Sequence, residues 1–246
     1  MDKDRSDKER KGTVAIIPAA GEGIRMGSKK AKQFLELKGM PIVASTLRVF
    51  DLCPIIDAVI LVVPESDVGY CIRDIVEKYE LAKVEKVVPG GKRRQDSVRK
   101  GLEASAGKYE LVLIHDGVRP FVSEGVIKNV IQSARVHGAA SAGLPVKETI
   151  KEVSESGDVI RTYDRKFVWA IQTPQAFYYE EIMKAHQKAV MEAWEDATDD
   201  CQLMEKMGVT VRVVEGSEEN IKVTTPHDLI MARFLTEHKT FIRPRD

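Results

Sequence analysis

The stretch from residue 18 to residue 32 combines small side chains with positive charges, and it follows a short apolar run. The small residues leave the backbone open to a ligand, and they are Pro18, Ala19, Ala20, Gly21 and Gly23. The positive charges fall within eight positions, and they are Arg25, Lys29, Lys30 and Lys32. Because glycine can adopt φ > 0, such a loop can turn its N–H groups towards an anion. The pattern predicts a polyphosphate site.

Two common phosphate-binding patterns do not fit this loop. G-x-x-x-x-G-K-[ST] requires a lysine after its second glycine, but Gly27 is followed by Ser28. G-x-G-x-x-G requires a glycine at position 26, which is Met26. The loop therefore indicates neither a P-loop NTPase nor an ordinary dinucleotide-binding protein. A glycine turn followed by a solvated basic helix is the alternative that stays open.

A carboxylate and a guanidinium follow the apolar run at residues 111–114. Asp116 could hold hydroxyl groups or a Mg²⁺ ion, and Arg119 could hold a phosphate. A structural ion pair between these two residues explains the pattern equally well. We expect the neighbouring His115 to be buried scaffold rather than a catalyst.

Two further segments place polar groups next to apolar runs. Gly90 and Gly91 precede Ser97, and their backbone groups together with that hydroxyl could bind the edge of a base. From this segment alone, an ordinary strand-to-helix turn is the favoured explanation. Lys222 lies between two apolar residues in an expected strand, where a lysine requires a partner or a ligand.

Apolar runs alternate with helical patterns from residue 13 onward, and this alternation must position the segments above. Expected strands cover residues 14–17, 57–63, 84–88, 111–114 and 139–146, and later 209–214 and 221–224. Expected helices cover residues 42–50, 66–79, 96–102, 123–136, 180–194 and 199–207, and a last helix begins at residue 226. Asp96 is expected to cap the helix at residues 96–102. Continuous apolar strands between helices are typical of a parallel sheet covered on both faces. Ligands bind at the carboxyl ends of such strands, where the loops after residues 17, 88 and 114 lie.

Residues 147–172, which we call the arm, interrupt this alternation. A hairpin is expected from strands at residues 147–153 and 159–163, with residues 167–171 extending it. Two strands alone are marginally stable in water. The arm is therefore expected to pack on a second subunit.

Composition limits the class of protein. The 246 residues contain 38 Lys plus Arg and 38 Asp plus Glu, so the net charge is zero and a general nucleic-acid binder is not expected. Cys53, Cys71 and Cys201 lack metal-ligand spacing, which indicates reduced thiols in a cytoplasmic protein. No apolar run is long enough to predict a membrane span. We expect a charged, disordered tail at residues 1–11, one domain at residues 12–238 that includes the arm, and a short tail at residues 239–246.

Five motifs, in order, resemble the 2-C-methyl-D-erythritol 4-phosphate cytidylyltransferases. They are P-A-A-G-x-G-x-R-M…K-Q-F, G-G-x-x-R-x-D-S-V, H-D-A-A-R-P, D-R-x-x-x-W-x-x-Q-T-P-Q and N-I-K-V-T-x-P-x-D-L. Gly117 and Val118 replace the two alanines of the third motif. The resemblance covers roughly residues 13 to 236, and it implies an α/β, Rossmann-like, mainly parallel sheet with helices on both faces and a protruding β-arm, as in nucleotide-diphospho-sugar transferases.

The resemblance also implies roles for individual residues. Nucleotide-binding residues would be Pro18, Ala19, Ala20, Gly21, Gly23, Gly90, Gly91, Ser97 and Gly117. Residues binding the second substrate would be Asp116, Arg119, Thr149, Arg165, Thr173 and Lys222. The catalytic residues among the whole set would be Arg25, Lys32, Arg165 and Lys222. No metal ligand is assigned, although Mg²⁺ or another divalent cation is expected on the triphosphate, and Asp199 and Asp200 are taken as structural.

The reaction that the resemblance implies joins CTP and 2-C-methyl-D-erythritol 4-phosphate. Its products would be 4-diphosphocytidyl-2-C-methyl-D-erythritol and pyrophosphate, in the non-mevalonate route to isoprenoid precursors. The resemblance also implies a homodimer in which the arm reaches the neighbouring subunit's site. Two alternatives stay open: a cytidylyltransferase for another polyol phosphate such as ribitol 5-phosphate, and a nucleotide-binding protein without catalysis.

Overall fold

The computed structural model describes residues 12–21, 31–195 and 197–238. The two expected tails lie outside these residues, and so do Gly23 and Arg25 of the first loop. The described strands are β1 (Thr13–Pro18), β2 (Glu36–Leu37), β3 (Met40–Pro41), β4 (Ala58–Val63), β5 (Val84–Pro89), β6 (Leu111–Ile114), β7 (Ala139–Pro145), β8 (Lys151–Val153), β9 (Val159–Thr162), β10 (Trp169–Tyr178) and β11 (Arg212–Glu215).

Seven of these strands form the central sheet, in the order β11-β7-β10-β6-β1-β4-β5. β10 runs antiparallel to both of its neighbours, whereas the other pairs are parallel. The strands β1, β4 and β6 are almost completely buried, as their continuous apolar sequences predict. The carboxyl ends of these three strands meet at one edge of the sheet, where the polar loops follow.

Helices cover both faces of the sheet, which confirms the predicted α/β class. They are α1 (Ile42–Leu52), α2 (Val68–Tyr70), α3 (Arg94–Ser105), α4 (Glu124–His137), α5 (Tyr179–Met191), α6 (Asp200–Lys206) and α7 (Pro226–His238), and a π-helical segment, Cys71–Glu77, continues α2. α1, α4 and the π-helical segment contribute to the core on one face, and α3, α5 and α6 to the core on the other. Successive residues of β1 divide between these two cores, as the alternation of side chains along a strand requires. Within the described residues, no helix combines the length and the apolar character needed to cross a bilayer.

Three sequence-based expectations about local structure were wrong. Residues 221–224 form no strand, because Val223 N–H donates to the loop oxygen Val118 O, 2.9 Å away, and not to a neighbouring strand. Residues from Trp169 onward leave the arm and pair with β7 in the central sheet. Asp96 is not the N-cap residue of α3, which is Arg93, but lies in the first turn, where its carboxylate accepts from Arg93 N–H at 3.3 Å as part of a capping box.

The expected hairpin in the arm is confirmed by the antiparallel pairing of β8 with β9. Its apolar side chains face outward in the single chain, since Val153, Val159 and Ile160 are each more than half exposed. Phe167, which follows the hairpin, is 83% exposed. The arm therefore presents apolar surface that the rest of the described chain leaves exposed.

Candidate active site

The small-residue loop after β1 forms one wall of a cavity at the carboxyl edge of the sheet. Ala19 N–H donates to Val62 O at 2.7 Å, which fixes the start of the loop against β4. The cavity has a volume of about 170 Å³, and the wall formed by the loop consists of Pro18, Ala19, Ala20 and Gly21. Lys32 lines the same cavity, so one of the predicted catalytic cations lies beside the small-residue loop.

The start of α3 forms the opposite wall. Ser97 Oγ accepts from Gly91 N–H at 3.1 Å and lies 3.1 Å from Arg93 O, to which it donates. Both Gly91 and Ser97 line the cavity, as the base-binding hypothesis requires. The serine hydroxyl therefore holds the glycine turn in a fixed shape.

Gly90 and Gly117 lie behind the cavity wall, where there is no room for a side chain. A Cβ atom at Gly90 would lie 2.4 Å from Ala20 Cβ and 2.8 Å from Ser97 Oγ. A Cβ atom at Gly117 would lie 2.8 Å from Ala19 Cβ. These two glycines let three loops pack together at the edge of the sheet.

Asp116 is the centre of the charged part of the site. The residue is 6% exposed, and it follows β6 directly after His115. Its Oδ2 lies 2.9 Å from Lys222 Nζ and 3.4 Å from Arg119 Nε, whereas its Oδ1 lies 3.1 Å from Arg94 Nε. Three cations, one of them only three residues away and two from distant parts of the chain, thus surround one carboxylate.

The ionised form of Asp116 is strongly favoured. Burial alone would raise the pKa of this carboxyl, but the charges of Arg94, Lys222 and Arg119 outweigh burial and lower the pKa well below its usual value. In Arg119 the balance is reversed. Burial outweighs the contact with Asp116 and lowers the pKa of the guanidinium. The site is therefore a fixed arrangement of charges near neutral pH.

A second cavity of about 100 Å³ adjoins the first at Asp116. Both cavities are lined by Arg94, Asp116 and Lys222. The second cavity also contains Arg119 and Thr173, two of the residues predicted to bind the second substrate. Asp116 and Lys222 thus occupy the boundary between two spaces that could hold two ligands side by side.

His115 lies beneath this boundary and is completely buried. Burial lowers the pKa of its imidazole to about 4, so the ring is neutral near pH 7. Its Nε2 lies 3.0 Å from Arg119 O and its Nδ1 lies 3.2 Å from Thr173 Oγ1, which in turn accepts from Asp116 N–H at 3.1 Å. These contacts support the expectation that His115 is scaffold, since both ring nitrogens are engaged in holding the site together.

Four of the predicted site residues that the structure describes line neither cavity: Gly90 and Gly117, which lie behind the wall, and two residues of the arm. Thr149 and Arg165 lie exposed on the arm, and Arg165 Nη1 donates to Lys147 O at 2.7 Å. Neither residue lines the described cavities. The guanidinium of Arg165 therefore faces solvent in the single chain.

Sequence reasoning missed Arg94, although the motif G-G-x-x-R-x-D-S-V places an arginine at this position. Its guanidinium bridges two carboxylates, because Nη1 lies 2.7 Å from Asp200 Oδ2 while Nε contacts Asp116. Sequence reasoning also missed Asn220, whose Nδ2 donates to Thr173 O at 2.7 Å and whose O accepts from Arg119 Nη1 at 2.7 Å. For Arg94 the sequence did offer a signal, because an arginine lies in the first turn of a helix beside a glycine turn.

Comparison with known proteins gives a consistent set of relatives. Residues 13–238 match the sequence model of the family described as "IspD: 2-C-methyl-D-erythritol 4-phosphate cytidylyltransferase". A protein of that name from Syntrophus aciditrophicus is 49% identical over 89% of this chain and 93% of its own length, and one from Desulforamulus reducens is 48% identical over 89% and 94%. Among solved structures, a 4-diphosphocytidyl-2C-methyl-D-erythritol synthase from Anaerococcus prevotii superposes with a TM-score of 0.82 at 35% identity, covering 96% of this chain and all of that one. A cytidylyltransferase structure from Thermus thermophilus gives a TM-score of 0.73 at 31% identity, covering 92% of this chain and 99% of that one.

Proposed function

The chain belongs to the family of 2-C-methyl-D-erythritol 4-phosphate cytidylyltransferases, and on this premise we propose that its two adjoining cavities hold the two substrates of that reaction. The enzyme transfers a cytidylyl group from CTP to 2-C-methyl-D-erythritol 4-phosphate, a step in the formation of isoprenoid precursors. The two alternatives, another polyol phosphate and a protein without catalysis, are not favoured by these relatives. The observation that carries the assignment of the site is the position of Asp116 and Lys222 at the boundary of the two cavities.

The larger cavity suits the nucleotide. Its small residues let a ligand approach the backbone of the loop after β1, and the glycine turn fixed by Ser97 offers backbone groups to a base. Lys32 supplies positive charge at the same cavity, and Arg25, which lies outside the described residues, is proposed to act beside it. In this arrangement the triphosphate lies along the loop, and the base lies against the start of α3.

The smaller cavity suits the phosphorylated polyol. Arg119 and Lys222 offer positive charge for its phosphate, and Asp116 and Thr173 offer acceptors and a hydroxyl for its hydroxyl groups. An acceptor bound there would have its phosphate next to Lys222. Since Lys222 also lines the nucleotide cavity, that phosphate would lie near the triphosphate.

The chemical step is a displacement at the α-phosphorus of CTP. A phosphate oxygen of the acceptor forms the new bond to the α-phosphorus, and the bond to the bridging oxygen of the β-phosphate breaks, so pyrophosphate leaves. With a second pKa of about 6, a phosphomonoester is already largely dianionic near pH 7, so no general base is required. The protein must position two anions and neutralise their charge, and the lysines and arginines around Asp116 do this.

The described residues do not fit a metal site held by the protein. No cluster of three His, Cys, Asp or Glu residues within the described part of the chain could hold an ion. Both oxygens of Asp116, the carboxylate shared by the two cavities, are engaged by cationic side chains. Mg²⁺, or another divalent cation, therefore enters the proposal only as an ion that would accompany the triphosphate, and every contact assigned above is made by the protein's own backbone and side chains.

The arm supports the proposal of a homodimer, and the cysteines support the proposal that the enzyme works in the cytoplasm. Its apolar side chains and Phe167 are exposed in the single chain, and Arg165 and Thr149 lie away from both cavities of their own chain. Both facts are explained if the arm packs on a second copy and brings Arg165 to the second copy's acceptor phosphate. The three cysteines are buried free thiols, which fits a reducing compartment.

The direct test is release of pyrophosphate with CTP and a set of polyol phosphates that includes 2-C-methyl-D-erythritol 4-phosphate and ribitol 5-phosphate. We expect the highest kcat/KM with the first of these. Lys222→Ala should lose activity with every acceptor, whereas Lys128→Ala, which removes an exposed lysine paired with Glu124 on α4, should not change it. Equal or better turnover of ribitol 5-phosphate would contradict the substrate assignment, and full activity of Lys222→Ala would contradict the site.

A further inference from the structure

Four side chains form a continuous line from the core to the boundary of the two cavities. His186 Nε2 lies 3.1 Å from Asp200 Oδ1, Asp200 Oδ2 lies 2.7 Å from Arg94 Nη1, and Arg94 Nε lies 3.1 Å from Asp116 Oδ1. The line passes through α5, α6, α3 and the end of β6. It connects one of the two helix-covered faces of the sheet to the carboxylate that contacts Lys222.

The inner members of this line are completely shielded from water. The side chains of His186 and Asp200 are 0% and 1% exposed. Burial opposes ionisation of Asp200, yet Arg94 and His186 keep the pKa of its carboxyl below the usual value. Buried ion pairs of this kind contribute little net stability compared with apolar residues of similar size. A role in fixing geometry explains the arrangement better than a role in stability.

The two oxygens of Asp116 have separate partners. Oδ1 contacts Arg94, whereas Oδ2 contacts Lys222 and Arg119. An arginine held at one end by Asp200 is a planar, rigid partner, because its guanidinium nitrogens point in fixed directions. It thereby sets the rotation of the Asp116 carboxylate and the direction in which Oδ2 faces.

We propose that Arg94, fixed by Asp200 and His186, is a positioning residue that orients Asp116 and through it Lys222 for the acceptor phosphate. The inference rests on the proposed function of Asp116 and Lys222 as acceptor-binding residues. It assigns to Asp200 a role beyond the structural one expected from sequence. It also predicts different effects on the two substrates, since a change in this line of side chains should affect binding of the acceptor rather than binding of CTP.

Asp200→Asn tests the proposal without touching a substrate, because Asp200 is buried and lines neither cavity. We expect the KM for 2-C-methyl-D-erythritol 4-phosphate to rise on the order of 10-fold, while the KM for CTP changes less than about 2-fold. The size of this effect is taken from metalloproteins, in which removing a residue that orients a metal ligand has an effect of this order. Arg99→Ala is the matched control, since Arg99 lies on the same helix and pairs with Glu103. The control should leave both KM values unchanged.

Arg94→Lys provides a second variant that keeps the positive charge but cannot bridge both carboxylates in the same geometry. It should raise the acceptor KM to a similar extent, and Asp200→Asn should add little further effect in the Arg94→Lys background. A change in thermal stability alone, additive effects of the two substitutions, or a rise in the KM for CTP instead would each overturn the positioning role.

Failure of the proposed function would look different. Asp116→Asn in the same assay reports on the site itself, without reference to Asp200. An unchanged acceptor KM in that variant would refute the assignment of the site and the inference together. A large effect of Asp116→Asn combined with a wild-type Asp200→Asn would refute the inference alone.

Discussion

Lys222 Nζ lies 2.9 Å from Asp116 Oδ2, although the lysine belongs to the segment before α7 and the aspartate to the end of β6. The side chain of Asp116 is 8% exposed and that of Lys222 is 39% exposed. The lysine therefore has one side on the buried carboxylate and the other side open to a ligand. An acceptor phosphate would bind to a lysine that is already oriented.

Lys32→Ala is expected to fold normally and to lose mainly kcat. A single donor that stabilises developing charge is commonly worth on the order of 10²–10³ in rate. Steady-state kinetics with saturating CTP and acceptor measure this loss, with Lys128→Ala as the control on an exposed lysine outside the site. Arg25→Ala should behave in the same way. Wild-type turnover of both variants would show that the loop is not catalytic.

Gly90→Ala is expected to destabilise the protein and to raise the KM for CTP. The new Cβ atom would lie 2.4 Å from Ala20 Cβ, so either the small-residue loop or the glycine turn must move. Overpacking of this kind costs about 1–3 kcal/mol of stability. Gly125→Ala is the control in urea denaturation and kinetics, because the nearest atom to its Cβ, Ser123 Oγ, would be 3.8 Å away. Equal behaviour of the two variants would exclude the close packing of these loops.

Preference for CTP over UTP should depend on the turn held by Ser97. Cytosine offers an N4 donor where uracil offers an O4 acceptor, so a site built around that donor leaves a buried group unpaired with uracil. Ser97→Ala removes the hydroxyl that accepts from Gly91 N–H, and we expect it to reduce the ratio of the two kcat/KM values. Equal kcat/KM values for CTP and UTP in the wild-type enzyme would rule out base recognition at this turn.

Acid should destabilise the protein in the range that corresponds to His115. The unfolded chain protonates this histidine near pH 6.5, whereas burial lowers its pKa in the folded protein to about 4. Between these values the unfolded chain binds one more proton, so stability is complete above about pH 6.5 and falls by about 3 kcal/mol as the pH drops to about 4.

Urea denaturation at several pH values measures this slope. His115→Gln should flatten it even if the variant is less stable, whereas His227→Gln, which replaces an exposed histidine, should keep it. The two buried carboxylates of the site with lowered pKa values, Asp116 and Asp200, lose their contribution only at lower pH. An unchanged slope in His115→Gln would mean that another group titrates in this range.

Mixed dimers test whether Arg165 acts in the partner's site. Arg165→Ala and Lys32→Ala homodimers should each be nearly inactive, because every site then lacks one cation. When the two variants are co-expressed, statistical pairing makes about half of the dimers mixed, each with one intact site, so activity should return to about a quarter of wild type. Purified mixed dimers without recovered activity would place Arg165 in its own chain's site.

Much of the fold could be predicted because its strands are buried on both faces. β1, β4 and β6 have continuous apolar sequences, which mark parallel strands without any knowledge of their partners. Asp116 could be singled out because a polar residue just after such a strand must lie at the carboxyl edge of the sheet. Lys32 could be singled out because it is one of several cations that follow the small-residue loop after β1. These predictions depend on local sequence alone.

The remaining features depend on contacts between distant residues. The antiparallel insertion of β10 between β6 and β7 cannot be deduced from its own sequence, because pairing direction leaves no local pattern. Arg94 resembles an ordinary charged residue at a helix start until Asp200 and Asp116 are placed on either side of it. The segment at residues 221–224 has the apolar pattern of a strand, but the loop at Val118 provides its backbone partner.

The position of β10 also has a consequence for the order in which the enzyme matures during synthesis. The nucleotide cavity is built mainly from residues 18–118, on strands that already pair with one another in parallel. The acceptor cavity needs Thr173 on β10 and Lys222 further along the chain. It therefore cannot form until most of the polypeptide has left the ribosome. A nascent chain that ends before β10 would therefore contain most of the residues of the nucleotide cavity but neither Thr173 nor Lys222, so it would lack the acceptor cavity.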